Sequence, residues 1–146
     1  MYQLKLAQKP NDILEFEKMR AEVFDPARKI DSIIQSPFAN AIMEGDMLAF
    51  RCLNNSRMVG GMLLKLSGKN IKIVRLFVDA NERGEGAGSF MLDYVEKHKD
   101  FFEDYYAEDI DGILLEPLES AVDFYFDKGY DYSGFQMFKR YDKKGR

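Results

Sequence analysis

The 146-residue chain contains one cysteine and one histidine. The lone Cys52 excludes an internal disulfide and any cysteine-based zinc cluster, and the lone His98 rules out a multi-histidine metal site, so no metal is expected. No apolar run approaches the roughly 18–20 residues of a membrane span. Residues 1–6 alternate like a strand and lack the apolar core of a signal peptide, which makes the cytoplasm the expected address and gives a membrane no part. Repeats, low-complexity tracts and linkers are missing too, so residues 1–146 are read as a single domain. A chain of this length buries roughly two-thirds of its unfolded surface and needs no covalent or metal staple. Excess positive charge is also lacking: the net charge of −4 argues against nucleic acid as a partner. What remains, 46% hydrophobic and 32% charged residues, is ordinary for a soluble globular protein.

The charge is unevenly spread. Residues 100–111 hold Asp100, Glu103, Asp104, Glu108, Asp109 and Asp111 without a lysine or arginine, while Lys139, Arg140, Lys143, Lys144 and Arg146 make the C-terminus basic. Two readings stay open: a solvated loop with a solubilising tail, or an acidic rim that attracts an amine.

Periodicity gives the elements. Residues 2–7 read as a strand. Asn11 or Asp12 caps a helix with an apolar stripe of Ile13, Leu14, Phe16, Met19 and Val23, which Pro26 breaks. Residues 28–43 read as a short helix interrupted at Ser36-Pro37. Residues 47–53 and 58–66 form a hairpin across Asn54-Asn55-Ser56, and a second turn at residues 67–70 leads into a strand over 71–78. The last three residues of that strand are apolar, as in a strand buried on both faces. A helix over residues 86–99, with Met91, Leu92 and Val95 inward, extends toward the aromatics of residues 101–106. Residues 112–115 are a buried strand ended by Pro117. A helix from Glu119 or Ser120 stops before Gly129, and two strands over residues 130–132 and 135–141 close the chain. The order β-α-α-β-β-β-α-β-α-β-β gives an α/β (α+β) fold: a mixed, mostly antiparallel central sheet of about seven strands with helices on both faces.

Two stretches carry chemistry. Leu76-Phe77-Val78 runs into a turn with Gly84, Gly86 and Gly88, which opens an amphipathic helix. Glycines there permit positive φ and let a ligand approach the backbone, and a helix N-terminus presents unpaired N–H groups suited to phosphate. Arg83 supports phosphate contact. The turn is not a Walker A loop, because no Gly-Lys-Ser/Thr follows. It is not the dinucleotide fingerprint either, because the spacing is G-x-G-x-G and no acidic residue closes a second parallel strand. The second stretch, Ala121-Val122-Asp123-Phe124-Tyr125-Phe126-Asp127-Lys128-Gly129-Tyr130, is a short helix that carries a tyrosine and stops at a glycine.

The run Arg83-Gly84-Glu85-Gly86-Ala87-Gly88 resembles motif A (Arg/Gln-x-x-Gly-x-Gly/Ala) of the GNAT superfamily of acyl-CoA N-acyltransferases, and Leu76-Phe77-Val78 resembles the Leu-x-Val strand before it. Ala121, Phe124, Tyr125, Gly129 and Tyr130 resemble motif B (Ala-x-x-Phe/Leu-Tyr-x-x-x-Gly-Phe/Tyr) in order and spacing. The element order is similar along the whole chain, including the strand at Met137-x-Lys139. The resemblance implies acetyl-CoA as co-substrate. Its pyrophosphate would be held by the amides of Gly84, Glu85, Gly86, Ala87, Gly88 and Ser89 beside Arg83. Its pantetheine arm would pair with Leu76, Phe77 and Val78, which offer an amide to the thioester oxygen. Tyr125 would protonate the departing thiolate, a sensible task for a positioned phenol. Two positions depart from the pattern: Ala80 stands where proline is frequent, and Leu118 stands where many members carry an asparagine that bonds the pantetheine.

A general base must take the amine proton. Glu116, in a Leu115-Glu116-Pro117 run similar to the Leu-Glu-Val of some relatives, is the first candidate; Glu22, Glu44 and Asp46 follow, and a solvated surface carboxylate is the plain reading of each. His98 reads as a helix-end cap and Cys52 as a small strand hydrophobe. The leading function is an acetyl-CoA-dependent N-acetyltransferase acting on a primary amine by direct attack in a ternary complex. The alternatives are a non-catalytic CoA-binding sensor or subunit and a plain interaction domain. A small-molecule or peptide amine is the expected partner, its identity open, and a homodimer stays open.

Overall fold

The computed structural model describes residues 1–24 and 37–142. In chain order these are β1 (Tyr2–Leu6), α1 (Pro10–Phe24), α2 (Pro37–Glu44), β2 (Met47–Asn54), β3 (Arg57–Ser67), β4 (Asn70–Val78), α3 (Ala87–Lys97), α4 (Lys99–Tyr106), β5 (Gly112–Leu115), α5 (Val122–Asp127), β6 (Asp131–Ser133) and β7 (Gln136–Arg140). The strands form one sheet in the order β1-β2-β3-β4-β5-β7-β6, in which only β4 and β5 run parallel. The expected mixed sheet is therefore present, with seven strands.

Local chemistry explains most boundaries. Two-residue hairpins join β2 to β3 and β3 to β4. Asn55 and Ser56 take positive φ (53° and 71°) between the paired Asn54 and Arg57, the twist that brings antiparallel strands back together. Pro10 and Pro37 open helices rather than break them, because a first-turn position has no N–H to lose. The first helix thus starts before Asn11. The expected break at Pro26 and the segment from residue 28 to Ser36 lie outside the described residues, as do Lys143, Lys144 and Arg146. The long helix expected after Gly86 breaks at His98, where φ −117° and ψ 39° leave the helical region and α4 begins. No glycine or proline marks that break. The His98 ring stacks on Tyr94 at 4.0 Å, with Nδ1 2.9 Å from the Tyr94 carbonyl oxygen.

Each sheet face has its own core. Leu48, Phe50, Met62, Leu64, Ile71, Ile73, Ile113 and Leu115 pack with α3, α4 and α5, and Ala49, Leu53, Leu63 and Phe77 pack with α1 and α2. Among the described residues no helix is long and apolar enough to cross a membrane.

The alternation along β4 is interrupted. Leu63 of β3 faces Arg75, but the adjacent Leu64 faces Ile73, which leaves Val74 as an extra residue. Such a bulge bends the strand and re-aims the side chains beyond it. Before the bulge Ile71 and Ile73 point to the α3 face; after it Leu76 and Val78 do, while Phe77 points to α1.

Candidate active site

The bulge and the end of β5 open the sheet. β5 pairs with β4 from Asn70–Gly112 to Ile73–Leu115 and then stops, whereas β4 runs on to Val78. From Val74 onward the β5-facing backbone edge of β4 has no strand partner among the described residues. The expectation that residues 76–78 are buried on both faces is corrected accordingly: Phe77 is buried, but Leu76 and Val78 are half-buried at the gap. A cleft of about 430 Å³ lies there. Phe24, Val74 and Arg75 line it on the α1 side, and Leu76, Leu115, Leu118, Ala121 and Tyr125 on the α5 side, with Glu116 at its rim. The cleft therefore passes through the sheet.

The glycine turn stands at one end of the gap. Gly84 and Gly86 have φ of 84° and 95°, and a Cβ on either would meet nothing within 4 Å, so the backbone is open to a ligand. Gly88 differs from expectation: it lies inside α3 with helical φ, and its inner side faces Leu76, Val78 and Phe124. Gly86 is the N-cap and supplies no side chain; the first bond of the helix is Phe90 N–H to the Gly86 carbonyl at 3.0 Å. The N–H groups of Ala87, Gly88 and Ser89 have no acceptor among the described residues. They form the positive end of an eleven-residue helix, suited to phosphate. Arg83 Nε donates to the Val78 carbonyl (3.3 Å) at the end of β4, and the Glu85 carbonyl accepts from the Tyr2 hydroxyl at 2.9 Å.

Tyr125 is fixed by its ring. It is 7% exposed, and its ring lies edge-on to Phe124 and Tyr130 at 5.2 and 5.7 Å. Gly129, at φ 94°, ends α5 as expected, and Tyr130 beyond it donates to Glu96 while Lys139 bridges Glu96 and the Lys128 carbonyl. Tyr125 lines the cleft, and among the described residues nothing bonds its hydroxyl. Burial pushes this phenol up to about 12, so it carries its proton at any physiological pH.

Glu116 sits at the C-terminal end of β5. Lys72 Nζ donates to its Oε1 at 3.0 Å and Gln136 Nε2 to the same atom at 3.3 Å. The Lys72 hydrogen bond and charge, then the Gln136 bond, hold its carboxyl below the ordinary glutamate value; Arg75 adds in the same direction. The other carboxylates do not converge here. Glu44 and Asp46 line a separate hollow with Gly45, Lys65, Tyr105 and Tyr106, and Glu22 is exposed on α1. The acidic stretch 100–111 lies on α4 and at the N-terminal end of β5, the opposite end of that strand from Glu116. There Asp111 N–H bonds the Lys69 carbonyl and Glu103 accepts from Ile110 N–H. Cys52 is fully buried and its thiol is pushed up to about 11 by burial, as befits a core hydrophobe. Sequence reading missed Lys72, Arg75 and Gln136; two cations in an otherwise apolar strand were the available signal.

The model of the acetyltransferase (GNAT) domain family matches residues 16–140. The chain belongs to the GNAT family. Solved GNAT structures share its fold. An acetyltransferase from Thermus thermophilus superposes with a TM-score of 0.72 at 15% identity, covering 94% of this chain and 97% of that one. Tetrahymena GCN5 superposes with a TM-score of 0.69 at 14% identity, covering 96% of each chain. The PaiA N-acetyltransferase of Thermoplasma acidophilum, in complex with coenzyme A, gives 0.63 at 13% identity, covering 97% and 99%. No curated protein matches the sequence. Among the described residues no cluster of side chains suits a metal ion.

Proposed function

We propose that this GNAT protein transfers the acetyl group of acetyl-CoA to a primary amine by direct attack within a ternary complex. The observation that carries this reading is the cleft through the sheet, where an unpaired strand edge, uncapped helix amides and a buried phenol converge. PaiA, of the same fold, is found with coenzyme A. The Ala87, Gly88 and Ser89 amides with Arg83 would receive the pyrophosphate, and the free edge of Leu76–Val78 would receive the pantetheine as an added strand. The amine would reach the thioester carbonyl from the α1 side, past Glu116. Attack forms the C–N bond, collapse breaks the C–S bond, and the Tyr125 hydroxyl donates to the departing sulfur. Direct attack is favoured because the described lining residues include no serine, threonine, cysteine or histidine to carry an acyl group.

The test is thiol release with a panel of amines, preceded by thermal shift with CoA. At 100-fold excess over Kd, a ligand that binds only the folded state adds about 2.7 kcal/mol. Gly86→Val should abolish that gain. The valine will also lower the starting Tm, since positive φ costs an L-residue about 1–2 kcal/mol, so the readout is the CoA-induced increment. An unchanged increment would place the cofactor elsewhere. CoA binding without release of thiol for any amine would favour a sensor.

Glu116 is the carboxylate proposed to take the amine proton, directly or through one water. Its folded value is depressed, so it stays ionised to lower pH than an ordinary glutamate and loses its charge only as pH falls further. The acid limb of kcat/KM should therefore lie below the ordinary glutamate range. Lys72→Met should move the limb upward, and Glu116→Gln should remove it. Persistence of the limb in Glu116→Gln would assign the base to another group.

A further inference from the structure

We infer that the acceptor amine carries a carboxylate, and that Arg75 is the residue that binds it. This rests on the transferase reading and narrows its substrate class.

The bulge at Val74 turns Arg75 to the α1 side of the cleft. Two rings hold its guanidinium there, Phe24 at 5.3 Å and Phe38 at 5.6 Å. Nη1 donates to the Val74 carbonyl at 2.7 Å. Nε is buried and has no acceptor, and Nη2 has none among the described residues. The unused Nε and Nη2 form one edge of the guanidinium, the edge that takes a carboxylate with two parallel N–H···O bonds. No carboxylate of the described chain pairs with it. The nearby Glu116 is already engaged by Lys72 and Gln136.

The charges of the cleft point the same way. Among the described residues Lys72 pairs with Glu116, while no carboxylate lies within ion-pair distance of Arg75, which adds a positive charge to a site that must admit an amine. A polyamine would meet repulsion there. A small molecule with both an amine and a carboxylate would place the anion on Arg75 and the amine beside Glu116. The acidic stretch cannot counter this, because it lies at the other end of β5. Arginine suits the task better than lysine: it stays charged, lies flat between rings and presents a fixed fork.

Matched acceptors test the inference: the common amino acids, their carboxamides and their decarboxylated amines, each assayed for thiol release by the full chain. A charge-assisted bidentate contact predicts kcat/KM about 10–100-fold higher for at least one amino acid than for its carboxamide and decarboxylated amine. The gap should appear mainly in KM. Arg75→Met should compress the ratio toward one, and Arg75→Lys, which keeps charge without the fork, should fall between. The CoA thermal shift of each variant reports that the fold is retained. Calorimetry of the CoA-saturated protein with the same pairs reads acceptor binding without turnover. Equal or weaker binding of every amino acid relative to its carboxamide would overturn the carboxylate assignment, as would a preference that survives in Arg75→Met. Failure of CoA itself to bind would instead overturn the transferase reading.

Discussion

Tyr125→Phe is expected to lower kcat about 100-fold, the usual size for one acid–base group, with CoA affinity and Tm nearly unchanged. The ring is wedged against Phe124 and Tyr130, and phenylalanine keeps that packing. The hydroxyl bonds no described residue, so its removal orphans nothing. What disappears is the hydroxyl donor of a residue that lines the cleft. The raised value also specifies what the donor does. An ordinary thiol titrates at about 8.5, well below a phenol at about 12, so complete transfer from Tyr125 to a free thiolate would run uphill. Donation is favourable while charge develops on sulfur in a water-poor site, which is where such a donor has most effect. A second consequence follows from the sign of the shift. Because burial raises the value, the basic limb due to Tyr125 should lie near 12 rather than near the ordinary 10. Wild-type turnover in Tyr125→Phe, with an acceptor in hand, would remove the residue from the mechanism.

Much of the fold and part of the candidate site can be read in the sequence, and the division has physical causes. Hairpins, strand spans and the caps at Gly86 and Gly129 depend on a few neighbouring residues, and they stand where periodicity and turn chemistry place them. Features that depend on a pairing partner are different. The Val74 bulge exists only relative to Leu63 and Leu64 of the adjacent strand, and nothing in Ile73-Val74-Arg75 announces it. Yet it decides that Arg75 lies on the α1 side of the cleft and that Leu76 and Val78 lie on the α3 side. The Lys72–Glu116 contact joins β4 to the end of β5, so the depressed carboxyl was invisible, although Glu116 itself was a candidate. The acidic stretch shows the converse failure. Composition registered its charge, but only topology reveals that it lies at the far end of β5 from the cleft.

Glu17→Ala should be the most destabilising single change in this region. Glu17 and Arg20 read as ordinary polar positions of an amphipathic helix, yet they are 1% and 3% exposed. Arg20 Nε donates to Glu17 Oε2 at 2.7 Å and Nη2 to Oε1 at 3.3 Å, and the guanidinium lies 4.7 Å from the centre of the Phe38 ring on α2. Removing the carboxylate strands a cation that cannot shed its proton, at a cost of about 3–5 kcal/mol. A domain of this kind has about 5–15 kcal/mol in all, so urea unfolding should show a large drop in midpoint at unchanged slope. The converse change separates pairing from packing. Replacing both, Glu17→Leu with Arg20→Met, should recover part of the loss, because apolar side chains of similar volume avoid the desolvation of two ions. If Glu17→Ala unfolds within about 1 kcal/mol of wild type, the pair is not a buried tie. The outcome bears on the cleft as well, because α1 and α2 carry Phe24 and Phe38, the rings that hold Arg75. A Glu17→Ala protein that remains folded should therefore lose acceptor selectivity before it loses CoA binding, since the glycine turn proposed to receive the pyrophosphate leads into α3, on the other face of the sheet.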